Sequence, residues 1–338
     1  MKSVEELESY LTTPSAALNE DMKAIDGDIM ILGAGGKMGP TIAKLAMRAM
    51  HEAGLSHDVY AVSRFSSGDV REDLEASGVR TLSCDLLDDD QLESLPNVRN
   101  VIYMVGYKFG STDNLHMAWA MNTYLPGQVA KKFRASRIVS FSTGNVYHLS
   151  PVVHGGSTEE STPQPVGDYA QSCLGRERIF DYFSGKYGTE VLHFRLNYAI
   201  DLRYGVLVDI AQAVWEGRAV DLTMGSANVI WQGDANERAL RSLLHCSNPP
   251  RVLNVTGPET VSVRFAAEEF ARRFGKQANF IHEESSDALL SNAANSHQLF
   301  GYPRMTLGDM MDLIARWIAD GLPLLRKPTH FGEREGRF

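Results

Sequence analysis

A chain of 338 residues with 43% hydrophobic and 22% charged residues has the balance of a globular protein, with length for one large domain and a smaller one. A formal net charge of −9 and a pI of about 5.6 argue against nucleic acid and against an anionic membrane surface, since both call for a basic face. The three cysteines, Cys84, Cys173 and Cys246, are far apart and lack metal-ligand spacing, so they read as reduced thiols and no metal site is expected.

Residues 3–11 and 14–26 read as short helices, with Thr13 and Ser15 as candidate N-caps of the second. This polar, acidic stretch has no apolar segment of the signal-peptide kind, and no apolar run of about 18 residues follows, so a cytoplasmic protein without a membrane span is expected. Residues 29–32 are an apolar run that ends in a glycine cluster and leads into a helical pattern to about Ala53. The alternation then repeats. Strands are expected at 59–63, 79–84, 100–105, 138–142 and 191–195, and helices at 69–77, 89–95, 114–133 and 169–186. Strands alternating with helices imply a parallel sheet with right-handed crossovers, and near-continuous apolar strands imply cover on both faces.

A Rossmann-type, doubly wound α/β domain is therefore expected over residues 28–200, after a helical extension at 1–27. Beyond it the pattern loosens, with helices at about 207–217, 235–246, 263–274 and 306–321 and strand-like pieces near 228–231, 252–256 and 278–282. Residues 201–338 are the expected smaller, mainly substrate-binding domain, with some segments returning to the first. Residues 147–168 form a loop rich in Pro, Gly, Ser and Thr, a length that is often a lid or a binding loop. The tail from Lys327 is charged and expected to be extended.

Gly33, Gly36 and Gly39 stand in G-x-x-G-x-x-G spacing between an expected strand and an expected helix, the context that gives such a motif meaning. Gly33 permits the tight turn, Gly36 lets the backbone approach a diphosphate, and Gly39 lets the helix pack on the strand. Gly35, Lys37 and Met38 belong to the same loop, where free helix N–H groups face phosphate. Lys37 either helps neutralise the diphosphate or points to solvent. The second strand ends in Ser63-Arg64, where an NAD site carries Asp or Glu. A hydroxyl and a guanidinium suit a 2′-phosphate instead, so NADP(H) is expected over NAD(H); the alternative is a solvated arginine. Cys84-Asp85-Leu86 closes the third strand, and Asp85 reads either as an acceptor for the adenine amino group or as a helix N-cap.

Thr143 ends the fifth strand and Tyr169 opens the next helix 26 residues later. Ligands of open α/β sheets lie at the carboxyl ends of strands, so the hydroxyl and the phenol can converge on a carbonyl or an alcohol. With the glycine motif, Cys84-Asp85, the run Val101 to Gly106, Asn122, Tyr147, Glu177, Arg195 to Tyr198 and Trp231 to Asp234, the chain resembles the extended short-chain dehydrogenase/reductase superfamily, in its NAD(P)-dependent epimerase/dehydratase branch, over roughly residues 28–320. The resemblance implies an oxidoreductase or epimerase that moves a hydride at a hydroxyl or keto carbon of a sugar or sugar-acid derivative. In it Tyr169 handles the proton, Thr143 bonds the same oxygen, and Asn122 supports the geometry. Tyr169, Val105 and Gly106 also join the cofactor contacts. A homodimer built on a helix pair is common in that superfamily.

One departure matters. The family pattern is Tyr-x-x-x-Lys, and here it reads Tyr169-Ala-Gln-Ser-Cys173. The lysine binds the nicotinamide ribose and lowers the tyrosine pKa; a neutral cysteine does neither. An unassisted phenol titrates near 10, and a base tuned to operating pH is worth roughly 10² to 10⁴ in rate. Three readings stand open. Another cation replaces the lysine, with Lys108 in the loop after the fourth strand and Lys37 as candidates. Or modest proton transfer suffices, or Cys173 itself takes part. Or catalysis is lost and the chain senses dinucleotide or scaffolds partners. His148, Asn197 and Trp231 join Lys108 as candidate substrate contacts, His148 and Trp231 with exposed-loop and core readings beside them.

Overall fold

The computed structural model describes residues 1–337 apart from 67, 109 and 328. Seven parallel strands carry the fold: β1 (Ile29–Leu32), β2 (Val59–Ser63), β3 (Arg80–Ser83), β4 (Asn100–Tyr103), β5 (Arg137–Thr143), β6 (Glu190–Leu196) and β7 (Arg251–Val255). Their order across the sheet is β7-β6-β5-β4-β1-β2-β3. The chain runs outward from β1 through β3, then returns to β4 on the other side of β1. That reversal opens a crevice at the carboxyl ends of β1 and β4, the usual ligand position of such sheets. Register is direct, with Leu32 of β1 beside Val62 of β2 and Tyr103 of β4.

Both faces of the sheet are covered, which is why β1 and β4 are buried along their length and, Asn100 apart, apolar. Alternation sends Ile29 and Ile31 to one face, against Ile42, Ala46 and Ala49 of α3 (Gly39–Glu52). Met30 and Leu32 go to the other, with Val129, Phe180 and Phe183.

The helix expected at 114–133 is split into α6 (Leu115–Trp119), a π-helical turn (Ala120–Tyr124) and α7 (Leu125–Lys132). Pro126 has no N–H to give the Asn122 carbonyl, and the Arg176 side chain donates to that carbonyl instead (3.4 Å). Arg176 lies on the long helix α8 (Gly167–Tyr187).

The remaining elements form a second hydrophobic cluster around α9 (Val206–Trp215), α11 (Val263–Phe274) and α13 (Leu307–Ala319). Leu7 and Leu11 of the N-terminal helix Val4–Leu11 join that cluster, while the helix Ala16–Met22 packs on α3. Ser15 caps the latter helix, as its position before an apolar pattern suggests. Residues 147–166 are held down along their length. Ser157 donates its N–H to the Leu290 carbonyl (2.9 Å), and Glu159 accepts from the Asn254 N–H of β7 (2.9 Å). Among the described residues no helix is long and apolar enough to cross a membrane, and no cluster of His, Cys, Asp and Glu suits a metal ion.

Candidate active site

The glycine loop joins β1 to α3 at the crevice. Gly33 has φ +90°, and a Cβ there would lie 3.0 Å from the Val105 nitrogen, so the turn and the chain just after β4 both require glycine. A Cβ on Gly39 would run into the Ala34 backbone. Gly36 differs: a Cβ there would meet only the Gly33 carbonyl, at 3.4 Å, so packing within the protein does not demand glycine at this point. The open space beside it, in front of a helix start with no side-chain cap, is what a diphosphate needs. The loop therefore fits a dinucleotide.

Ser63 ends β2 directly against Gly35. Arg64 follows it, exposed, and its guanidinium has no partner among the described residues. Asp85 is half-buried and accepts from the Leu87 N–H (3.1 Å), whereas the N-cap of the next helix is Asp88. Leu86 and Val105 are buried, and Gly106, in the loop after β4, is exposed.

A cavity of about 210 Å³ opens at the same end of the sheet, lined by Lys37, Lys108, Thr143, Asn145, Tyr169, Asn197 and Tyr204 among others. Thr143 sits at the last position of β5 and Tyr169 in the first turn of α8. The Thr143 hydroxyl and, one turn along the helix, the Cys173 thiol both lie close to the Tyr169 phenol. Burial pushes the phenol well above its usual range and the neighbouring Cys173 adds to the rise, while Arg176 and Thr143 oppose it. Burial also raises the Cys173 thiol, which is therefore neutral at ordinary pH.

The Lys108 ammonium stands 5.5 Å from the centroid of the Tyr169 ring. Burial lowers it to about 8, with the Cys173 side chain working the other way. Lys37 turns away from the glycine loop and crosses the cleft. Its ammonium donates to the Ala199 carbonyl (3.1 Å) and lies 4.4 Å from the Tyr204 ring centroid. Burial lowers it to about 8 too, against the pull of Asp201.

Asn122 is fully buried on the π-helical turn, outside the cavity. Its amide accepts from the Tyr107 N–H (2.9 Å) and from Arg176 (2.9 Å), and donates to the Tyr107 carbonyl (3.0 Å) and the Ser172 hydroxyl (3.0 Å). It thus clamps the loop that carries Lys108 to α8, which carries Tyr169. Sequence reasoning missed Arg176, whose place two helical turns after Tyr169 on one face was the available signal.

Below the cavity, Arg195 meets Glu177 through two short bonds (2.6 and 2.9 Å), Ser142 donates to the same carboxylate (2.6 Å), and Arg195 donates to the Tyr147 hydroxyl (2.6 Å). Two of the sequence candidates lie elsewhere. His148 is exposed, with its Nδ1 2.9 Å from the Leu149 carbonyl. Trp231 is buried, its ring edge-on to Tyr10 of the N-terminal helix at 6.1 Å between centroids. The pinned loop at 147–166 holds the first away from the cavity, and packing against the N-terminal helix holds the second.

A model of the NAD dependent epimerase/dehydratase family matches residues 29–199, just over half of the chain. The chain belongs to this family. As a member it is an enzyme of the extended short-chain type, working with a nicotinamide dinucleotide. No curated protein matches the chain. Solved structures of family-type folds do. A UDP-glucose 4-epimerase from Thermotoga maritima, solved with UDP-glucose, is 17% identical at TM-score 0.69, covering 87% of this chain and 99% of that one. A Thermus thermophilus UDP-glucose 4-epimerase in complex with NAD is 18% identical at TM-score 0.69, covering 86% and 98%. A dTDP-glucose 4,6-dehydratase from Streptomyces venezuelae, solved with NAD, is 15% identical at TM-score 0.71, covering 87% and 97%. At these identities the likeness is one of fold.

Proposed function

We propose that this family member is an NADP(H)-dependent epimerase or oxidoreductase acting at a hydroxyl or keto carbon of a sugar or sugar-acid derivative. The observation that carries the reading is the meeting of the Tyr169 phenol, the Thr143 hydroxyl and the Lys108 ammonium in one cavity beside the glycine loop. The loop backbone at Gly33, Gly35, Gly36, Met38 and Gly39 and the start of α3 would hold the diphosphate. Ser63 and Arg64 would hold the ribose 2′-phosphate, and Asp85 and Leu86 the adenine side. Val105, Gly106 and Tyr169 would border the nicotinamide half. When bound, the nicotinamide supplies or takes up the hydride.

The chain's own residues supply the rest. Thr143 holds the substrate oxygen beside the phenol, and Tyr169 gives the proton to that oxygen or takes it away. Lys108 supplies the positive charge that Cys173 does not, and so makes the phenol a more usable base. Asn122 holds the Lys108 loop at the correct distance. Asn197, Tyr198 and Tyr204, from the stretch where the Rossmann unit gives way to the C-terminal part, shape the substrate side. The free thiols fit a cytoplasmic setting, and the exposed face of Leu115, Tyr124 and Tyr182 on α6 to α8 fits a homodimer.

The test is Tyr169→Phe against a panel of sugars, polyols and sugar acids, read by nicotinamide absorbance. Turnover should fall by at least about 10², with NADPH affinity unchanged. A catalytically silent sensor would show no turnover in the wild type either. Undiminished turnover in the variant would remove Tyr169 from the chemistry.

A further inference from the structure

The charged C-terminal tail is folded back across the cleft. Thr329 is buried and lines the 210 Å³ cavity with Tyr169. Both its N–H (3.0 Å) and its hydroxyl (2.6 Å) donate to the carboxylate of Asp209 on α9. Phe331, like Tyr198, packs against the Met224, Leu289 and Leu290 cluster. Arg334 pairs with Asp287 (2.5 Å) and donates to the Asp287 carbonyl (3.1 Å). Gly336 then lies backbone to backbone against Val166 and Gly167, immediately before Tyr169, where a Cβ on either glycine would collide with the other strand of chain. The tail therefore bridges the C-terminal cluster and the start of the catalytic helix.

On the far side of the Asp209–Thr329 contact is a larger hollow of about 900 Å³, lined by Tyr204, Asp209, Trp215, Arg218, His330 and Phe331. Tyr204 lines both spaces. The space at Tyr169 is below the roughly 300 Å³ at which ordinary ligand pockets begin. It cannot take a nucleotide-linked sugar together with a nicotinamide while the tail is in place.

We propose, resting on the hydride-transfer reading above, that residues 329–336 form a strap that sets substrate size. Held by Asp209, Asp287 and the Val166–Gly167 backbone, the strap divides the cleft and confines the substrate to a single sugar or a polyhydroxy compound of that size. Nucleotide-linked sugars are excluded.

The experiment compares the wild-type protein with an Arg334→Ala, Gly336→Val double variant, whose loss of the ion pair and added side chain both act to lift the strap. Each is loaded with NADP⁺ and titrated calorimetrically with UDP-glucose, with amide exchange followed over residues 329–337. The expected result is faster exchange in the strap, UDP-glucose affinity raised at least about tenfold, and coenzyme affinity unchanged. Two results overturn the proposal. One is wild-type protein that binds UDP-glucose as tightly as the variant, or a loosened strap that leaves affinity unchanged. The other is strap exchange that the substitutions leave unaltered, because the named contacts then do not hold it. A failure of the parent reading is separately visible in the same samples as absent coenzyme binding.

Discussion

Lys108→Met removes a positive charge that stands over the Tyr169 ring, 5.5 Å from its centroid. An opposite charge within roughly 4–6 Å of a titrating group favours its ionised form by about one to three pK units. Burial and Cys173 already push the phenol well up, so the loss falls on a base with no reserve. We expect kcat/KM to drop by about 10² at neutral pH. The pH profile carries the sign. The Lys108 ammonium titrates at about 8, so its charge is present at neutral pH and fades as pH rises through that value. Wild-type kcat/KM should therefore fall on the alkaline side near there. Lys108→Arg should keep activity and move the fall upward, since guanidinium stays charged. The assay is nicotinamide absorbance with the best substrate of the panel, alongside NADPH titration to show that the site still loads. Lys108→Met with wild-type rates and an unaltered profile would refute the reasoning.

Arg64→Ala should weaken NADPH by roughly ten- to a hundredfold, the worth of charge-assisted hydrogen bonds to a phosphate, and leave NADH nearly unchanged. Fluorescence titration decides it, and equal losses would contradict the 2′-phosphate assignment. Arg195→Met strands the Glu177 carboxylate, which is 1% exposed, and should destabilise the fold by about 3–5 kcal/mol in urea unfolding. Burial pulls the Glu177 carboxyl upward, but the Arg195 bonds, the charges of His193 and Arg195, and Ser142 outweigh it and hold the group below its ordinary range. Its stabilising contribution is then present above the ordinary glutamate pKa and lost as pH falls through the lowered value. Glu177→Gln should remove that part of the acid sensitivity, as seen in unfolding midpoints measured at several acid pH values.

The sheet was legible because buried parallel strands are apolar runs. Ile29 to Leu32 and Asn100 to Tyr103 announce themselves before any tertiary information. The glycine loop was legible because its spacing is set by backbone contacts, and Thr143 and Tyr169 because strand ends and helix starts meet at one edge. Three things were hidden. The break at Asn122 arises from Pro126 acting on a carbonyl four residues earlier, and it becomes a functional clamp only once α8 brings Arg176 to it. Trp231 was open between cavity wall and core, and the partner that accompanies its burial, Tyr10, lies in an N-terminal helix that no local pattern ties to it. The tail reads only as charged and extended, and its placement rests on partners more than forty residues away, at Asp287 and Asp209. Strands of two or three residues, such as Ala219–Asp221, are too short for any periodicity to reveal.

The most direct measurement is calorimetric titration of NADPH and NADH into the wild type and into Tyr169→Phe. Both proteins should take up one coenzyme, NADPH the more tightly, and with equal affinity. Heat of dilution alone, with either coenzyme and either protein, would mean that the loop at Gly33 to Gly39 holds no dinucleotide and that the meeting of Tyr169, Thr143 and Lys108 serves no hydride transfer.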